Sequence, residues 1–408
     1  MTNLQKRCII IFGKEGEKLI YVDNAATTKM SKEVLDSMMP YLTESYGNAS
    51  SIYSFGQQNR AAIENARETV ANLIGAKPSE IFFTGCGSEA DNWAIFGAAR
   101  KNIKKGKHLI TSVIEHHAVL HCFQQLEKEG FTVTYIPVDS EGLVNVEDVK
   151  NAITPETTLI SIMMANNEIG TIQPIKEIAQ IAKENNIVFH TDAVQAVGHI
   201  PVNVEDLGVN LLSVSAHKFE GPKGVGFLYV KTGTWLSQFM YGGAQERNKR
   251  AGTENVAGVV GMATALKIAT ENLDANMDKC YKLRERFIDG VLSNIKHCRL
   301  NGSRTKRLPG NANISFEFIE GESLLLSLDL AGIAASSGSA CTSGSLDPSH
   351  VLLAIGLPHA IAHGSLRASF SHGNTFEEVD KIVEELIKIV QRLRDMSPLY
   401  EDYLKGKK

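Results

Sequence analysis

From about residue 60 to residue 230 the chain alternates helical stretches with short apolar runs, and that alternation restricts the fold more than any other feature. Arg60 to Ile74 has helical spacing and ends at Gly75. Ile81-Phe82-Phe83-Thr84 follows as a strand, and Glu89 to Arg100 is helical again. Further strands are expected at His108–Val113, Thr132–Ile136, Thr158–Met164, Ile187–His190 and Leu211–Ser215, with helices such as Ile175–Asn185 between them. Strands separated by helices build βαβ units, hence an α/β fold with a mostly parallel central sheet covered by helices on both faces. Ligands of such sheets bind outside the carboxyl ends of the strands.

After about residue 260 the pattern changes. A long helical stretch from Val256 to Val291 leads to strand-like pieces at Ala312–Phe318 and Ser365–Phe370 and a final helix, Thr375 to Met396. The expected division is a large α/β domain over residues 21–260 and a smaller α+β domain formed by residues 1–20 and 261–408. At 408 residues the chain is long enough for both cores.

Composition narrows the function. A net charge of −4 gives no broad cationic surface for nucleic acid, and the run Lys101 to Lys107 reads as a solvated helix end and turn. No apolar stretch reaches the ~18–20 residues of a membrane span. Six scattered cysteines without a CxxC pair argue against a disulfide framework or structural zinc and suit reduced thiols in the cytoplasm.

Five segments carry chemistry-bearing residues. Ser215-Ala216-His217-Lys218 with Gly221-Pro222-Lys223-Gly224 puts a lysine just past an apolar strand. That is either an amine made nucleophilic by desolvation or an ordinary lysine at a strand's surface end. Asp192 closes the apolar run before Gln195, 26 residues ahead of Lys218. It suits a carboxylate partner for a pyridinium nitrogen, although a lone acid in such a place is more often a helix N-cap. Thr84-Gly85-Cys86-Gly87-Ser88, between strand and helix, suits an anion cradle, while Ser88-x-x-Asp91 is also a plain capping box. His116 in Glu115-His116-His117 stands near a strand end, where it suits ring stacking and proton transfer. His117 and His121 are four apart, but no partner at metal spacing accompanies them, so no metal site is expected. Cys341, within Ser336-Ser337-Gly338-Ser339-Ala340-Cys341-Thr342-Ser343, sits among small residues that suit a reactive thiol on a loop, or a glycine-serine loop that happens to hold a cysteine. Arg367, on a strand candidate, suits a bidentate grip on a carboxylate.

Taken together, these motifs resemble those of the NifS/IscS-type cysteine desulfurases, pyridoxal-phosphate (PLP) enzymes of fold type I in the class V aminotransferase group. The resemblance runs from Tyr21-Val22-Asp23-Asn24-Ala25-Ala26 to Ser397-Pro398-Leu399-Tyr400. It implies that Lys218 holds the cofactor, that Gly87, Ser88, Ser215 and His217 meet or assist its phosphate, and that His116 stacks on the ring. It further implies that Asp192 pairs with the ring nitrogen and that Asn167 and Gln195 approach the phenolic oxygen. Arg367 and Asn167 would bind the substrate, L-cysteine, and Cys341 would take its sulfur as a persulfide and release L-alanine. Thr253, in Arg250-Ala251-Gly252-Thr253-Glu254-Asn255, would reach the neighbouring subunit's phosphate in a homodimer. The sulfur would pass to an iron-sulfur scaffold protein, a tRNA-thiolation protein or another acceptor. Selenocysteine lyase and class V aminotransferase are the alternative activities. Two positions depart from the family pattern: Tyr53 stands where histidine is usual, and Ser371-His372-Gly373 replaces the usual Gly-Arg.

Overall fold

The computed structural model describes residues 19–337 and 348–406. Within them lie strands β1 (Ile20–Tyr21), β2 (Ile81–Thr84), β3 (His108–Ser112), β4 (Thr132–Ile136), β5 (Thr157–Ser161), β6 (Val188–Asp192), β7 (Leu211–Ser215), β8 (Gly226–Val230), β9 (Cys298–Leu300), β10 (Asn311–Phe316), β11 (Ile333–Ala334) and β12 (Ser365–Ser369). The chain divides into two compact units.

The larger unit comprises Ala25–Met277 and Gly302–Leu308. Its seven-stranded sheet has the order β2-β8-β7-β6-β5-β3-β4. Strands β4, β3, β5, β6 and β7 run parallel, while β8 is antiparallel to both β7 and β2. β8 is not among the strands expected from the alternation, because the ten-residue connection from β7 holds only the short turn Ala216–Lys218 instead of a crossover helix. Strands β3, β5 and β7 are buried along their whole length, as a sheet covered on both faces requires. One core includes Val70, Ile110, Ile160, Phe189 and Phe227, and a second gathers Trp93, Phe123, Leu159 and Leu228.

The unit continues past residue 260 because the helix Val256–Glu271 packs on the helices Lys32–Thr43 and Ser54–Leu73. Gly261 brings it close, since a β-carbon there would lie 2.6 Å from the Met38 sulfur. The expected continuous helix to Val291 is two helices, Val256–Glu271 and Leu273–Asn294. Asn272 divides them; its side-chain amide and its backbone N–H both donate to the Ile268 carbonyl, the local competition that disfavours asparagine inside helices.

The smaller unit takes residues 19–24, Asp278–Asn301 and the described residues from Pro309 onward. Its three-stranded sheet, β12-β10-β9, is antiparallel, and β1 pairs with β11. The helix Phe376–Asp395, expected to be the last, begins with a reciprocal capping box between Thr375 and Glu378 and has Met396 as its C-cap, and a short helix, Pro398–Leu404, follows it. No helix among the described residues is long and apolar enough to cross a membrane.

Candidate functional site

The parallel strands β6 and β7 end side by side, and the chemistry-bearing residues of the large unit gather where they end. β6 runs two residues beyond its expected end, so Asp192 is its last residue. Burial pushes the Asp192 carboxyl up to about 6, opposed by the Val194 N–H that it accepts at 2.9 Å and by the charge of Lys218. That Val194 bond is the capping contact foreseen for Asp192, made here to a turn.

Beyond β7 the chain enters the short turn Ala216–Lys218, and the Lys218 ammonium donates to the carbonyls of Ala25 and Ala26 at 2.8 and 2.7 Å. Gln195 donates its side-chain amide to the same Ala25 carbonyl at 2.9 Å. Ala25 thus joins Lys218 to the turn that carries Asp192. The Lys218 turn is itself fixed: Thr28 donates through N–H and Oγ1 to the His217 carbonyl, and the Gly221 N–H returns to Ala216. A β-carbon at Gly221 would lie 2.7 Å from the Ala216 oxygen, so only glycine lets the chain fold back there. His217 meets Thr27 Oγ1 at 3.1 Å; burial, then the charges of Lys218 and Lys223, lowers its pKa to about 4.

The helix Gly87–Lys101 points its N-terminus at this place. Its N-cap is Cys86, whose side chain makes no capping bond, so the capping box foreseen for Ser88 and Asp91 does not form. Asp91 is instead buried inside. A β-carbon at Gly87 would lie 2.8 Å from Val194 and 3.2 Å from the Ser215 β-carbon, which brings the helix end, β7 and the Asp192 turn into contact. Ser88, Asn92, His116, His117, His121 and Cys122 line an adjoining cleft of about 410 Å³.

His116 is the N-cap of the helix His117–Lys128, and its Nδ1 accepts the Ala118 N–H at 3.1 Å. The neutral ring therefore carries its proton on Nε2. His117 and His121 approach with ring centroids 5.1 Å apart. Among the described residues no group of three or more His, Cys, Asp or Glu is arranged to hold a metal ion. Asn167 follows Asn166, whose side chain accepts the N–H groups of Glu168 and Ile169 and donates to Ile114, fixing that turn. Thr253 is exposed.

Behind Asp192, Glu115 and His190 escape the sequence reading, and Asp91 is read there only as part of a cap. Glu115, fully buried, accepts Ser112 Oγ at 2.5 Å and the Met163 N–H at 2.9 Å, and burial pushes it up to about 8. The Met163 N–H thus turns to a side chain, and β5 ends at Ser161, short of the expected Met164, although the Met164 N–H still donates to the Asp192 carbonyl. His190 lies between the hydroxyls of Ser161 and Ser213 at 2.8 and 2.9 Å, and Asp91 lies 3.6 Å from it. Only its place directly before His116 could have drawn attention to Glu115.

In the small unit, Arg367 is buried on β12 and donates to Asp23 at 2.7 Å. Its backbone pairs with that of Ser336. Cys341 lies outside the described residues.

The chain belongs to the class-V aminotransferase family, whose signature matches residues 20–382. Within that family its similarity is to cysteine desulfurases. Cysteine desulfurase IscS of Clostridium botulinum (strain Hall) is 57% identical over 392 residues, covering 96% of this chain and 99% of its own. A solved NifS-like protein superposes with a TM-score of 0.87 at 40% identity, over 92% of this chain and 100% of its own. SspA in complex with cysteine superposes at 0.76 with 38% identity, over 86% and 98%. The fold is that of the type I PLP enzymes, and the cofactor is pyridoxal 5'-phosphate. The cluster suits that group: a cradle that a β-carbon at Gly87 would fill, a helix end without a side-chain cap, a buried carboxylate and a strand-end amine.

Proposed function

We infer that this chain is a PLP-dependent cysteine desulfurase, converting L-cysteine to L-alanine and carrying the sulfur away as a persulfide on Cys341. The observation that carries the reading is the meeting of Lys218, Gln195 and the Asp192 turn at Ala25, in a chain similar over nearly its whole length to cysteine desulfurases. When bound, the cofactor supplies an electron sink for the substrate's α-carbon.

In this reading Lys218 holds the cofactor covalently and then moves the α-proton. Asp192 holds the proton on the ring nitrogen, and Gln195 and Asn167 meet the phenolic oxygen. Gly87 and Ser88 offer the helix end to the phosphate, assisted by Ser215 and His217. His116, with Nδ1 engaged by Ala118, stacks on the ring and presents the Nε2 proton. Arg367, with Asn167, binds the substrate and takes its carboxylate. The Cys341 thiolate attacks the substrate sulfur: an S–S bond forms, the C–S bond breaks, and its electron pair stays on the carbon that becomes alanine's methyl group. Burial pushes Cys122 up to about 12 and raises Cys298, which leaves both poor nucleophiles.

The protein acts as a homodimer in which Thr253 reaches the partner's phosphate. The exposed Ile52, Tyr53, Trp235 and Tyr241 of the large unit support such burial against a second copy. The sulfur passes to an iron-sulfur scaffold or another sulfur acceptor in the cytoplasm.

Alanine measured from L-cysteine without any keto acid tests the activity; alanine only when a keto acid is added would mean an aminotransferase. With sulfur-labelled cysteine, reductant-labile label should map to the Cys341 peptide. Cys341→Ala should bind cysteine yet release almost no alanine, and label on Cys86 would overturn the assignment.

A further inference from the structure

A carboxylate occupies the phosphate cradle without a role in the reading above. Glu89 lies in the first turn of the helix Gly87–Lys101, and its Oε2 accepts the Gly85 N–H at 2.7 Å. This bond shapes the Gly85–Ser88 turn: a β-carbon at Gly85 would sit 2.8 Å from the same oxygen. A negative charge suits a helix N-terminus, but it opposes a phosphate on that same turn.

Arg250 answers that charge. Its Nε donates to Glu89 Oε1 at 2.7 Å and its Nη2 to Oε2 at 3.0 Å, a bidentate pair of partly buried groups. The segment that brings Arg250 there is strongly held. Glu246 is buried and accepts two bonds from the buried Arg67, at 2.8 and 2.9 Å, and the Phe83 N–H at 3.0 Å. Glu246, Arg247 and Asn248 are all left-handed, with φ of 44°, 56° and 62°. Non-glycine residues hold that conformation only where their surroundings fix it. Arg247 also ties the turn to the carbonyls of Pro78 and Ser79. A strained turn held by this many bonds presents Arg250 in one place.

We propose that Arg250 is a positioning residue for the cofactor phosphate, cancelling the charge of Glu89 so that Glu89 can fix Gly85 without repelling the phosphate. The proposal rests on the reading that the Gly87–Ser88 helix end holds that phosphate. It gives Arg250 no direct contact with the cofactor, and this separates it from a simple phosphate ligand.

The test compares PLP with pyridoxal, which keeps the ring and aldehyde but lacks the phosphate, on the cofactor-stripped full-length protein. Wild type should prefer PLP. Equal affinity would refute the cradle reading and this proposal with it. Given that preference, Arg250→Gln should weaken PLP about ten- to hundredfold through the uncancelled charge and leave pyridoxal unchanged. Glu89→Gln combined with Arg250→Gln should recover most of the loss, because both charges are gone and the glutamine oxygen still accepts the Gly85 N–H. Arg250→Lys, which keeps the charge, should hold the PLP-to-pyridoxal ratio near wild type and serves if Arg250→Gln does not fold. An unchanged ratio in Arg250→Gln, a double variant as weak as the single one, or a collapsed ratio in Arg250→Lys would each overturn the proposal.

Discussion

The cluster behind the site strands of the large unit and the small unit handle buried polar groups in opposite ways. In the large unit, Asp91, Glu115, Asp192 and His190 crowd behind the ends of β6 and β7, none more than 5% exposed. Burial is the main influence on each: the three acids are pushed up, Glu115 to about 8 and Asp192 to about 6, and His190 is pushed down to about 3. The 3.6 Å approach of Asp91 to His190 is therefore not an ion pair, since the ring is neutral. In the small unit, buried Arg367 instead meets Asp23, and buried Arg394 donates to the carbonyls of Glu317 and His297 at 3.1 and 2.8 Å. In the first of these places burial shifts each titratable group toward its neutral form, and in the second each of these charges is fixed against a partner. The carboxylate proposed to stabilise a proton on the ring nitrogen lies in the first kind of place, and the guanidinium proposed to grip the substrate lies in the second.

Asp192 gives the comparison its sharpest test. Burial pushes Asp192 only to about 6, below Glu115 at about 8, so near neutral pH Asp192 offers a negative charge at the end of β6 that Glu115 does not. Asp192→Asn keeps the shape and the Val194 contact but removes the charge. Turnover should fall by about a hundredfold or more, with the cofactor still bound by absorbance. Near-normal turnover would reduce Asp192 to a cap for its own turn.

Arg367 tests the other half. Arg367→Lys keeps one positive charge but loses the planar fork, so KM for cysteine should rise roughly tenfold or more, with a smaller change in kcat. Steady-state kinetics alongside the cofactor's absorbance checks this. A lower melting temperature with KM unchanged would make Arg367 a purely structural partner of Asp23.

What the sequence revealed follows the same division. Strands such as β2, β4 and β7 stand at the predicted residues because apolar runs flanked by helical spacing are local signals. Thr375 and Glu378 announce a helix start for the same reason. The strand-end positions of Lys218 and Asp192 were legible too. The meeting of Lys218 with Ala25 was not, since those residues are 193 apart and nothing local marks that carbonyl. The burial of Asp91 was hidden as well. Three residues after Ser88 it has the spacing of a cap, and only packing against the sheet turns its side chain inward.

Glu115 offers the mildest test, and its sign is fixed by linkage. Its folded pKa of about 8 lies above the ordinary 4.5, so between those values the folded chain holds a proton that the unfolded chain has released. Unfolding then releases a proton, and stability falls as pH rises from about 4.5 to about 8. Below that window both states are protonated, and above it both are ionised. Glu115→Gln keeps an oxygen for Ser112 and Met163 but cannot ionise. Its stability relative to wild type should therefore increase across the window, by a few kcal/mol at most on the order-of-magnitude scale of such shifts. Urea unfolding of the cofactor-free chain, followed by tryptophan fluorescence at pH 5, 6.5 and 8, measures the trend. Both tryptophans, Trp93 and Trp235, belong to the large unit, so the signal reports on the region in question. A difference that stays flat or shrinks with pH would mean that Glu115 is ionised inside the fold. The cluster behind β6 and β7 would then hold a fixed buried charge at Glu115, and the contrast with Arg367 would fail at that position.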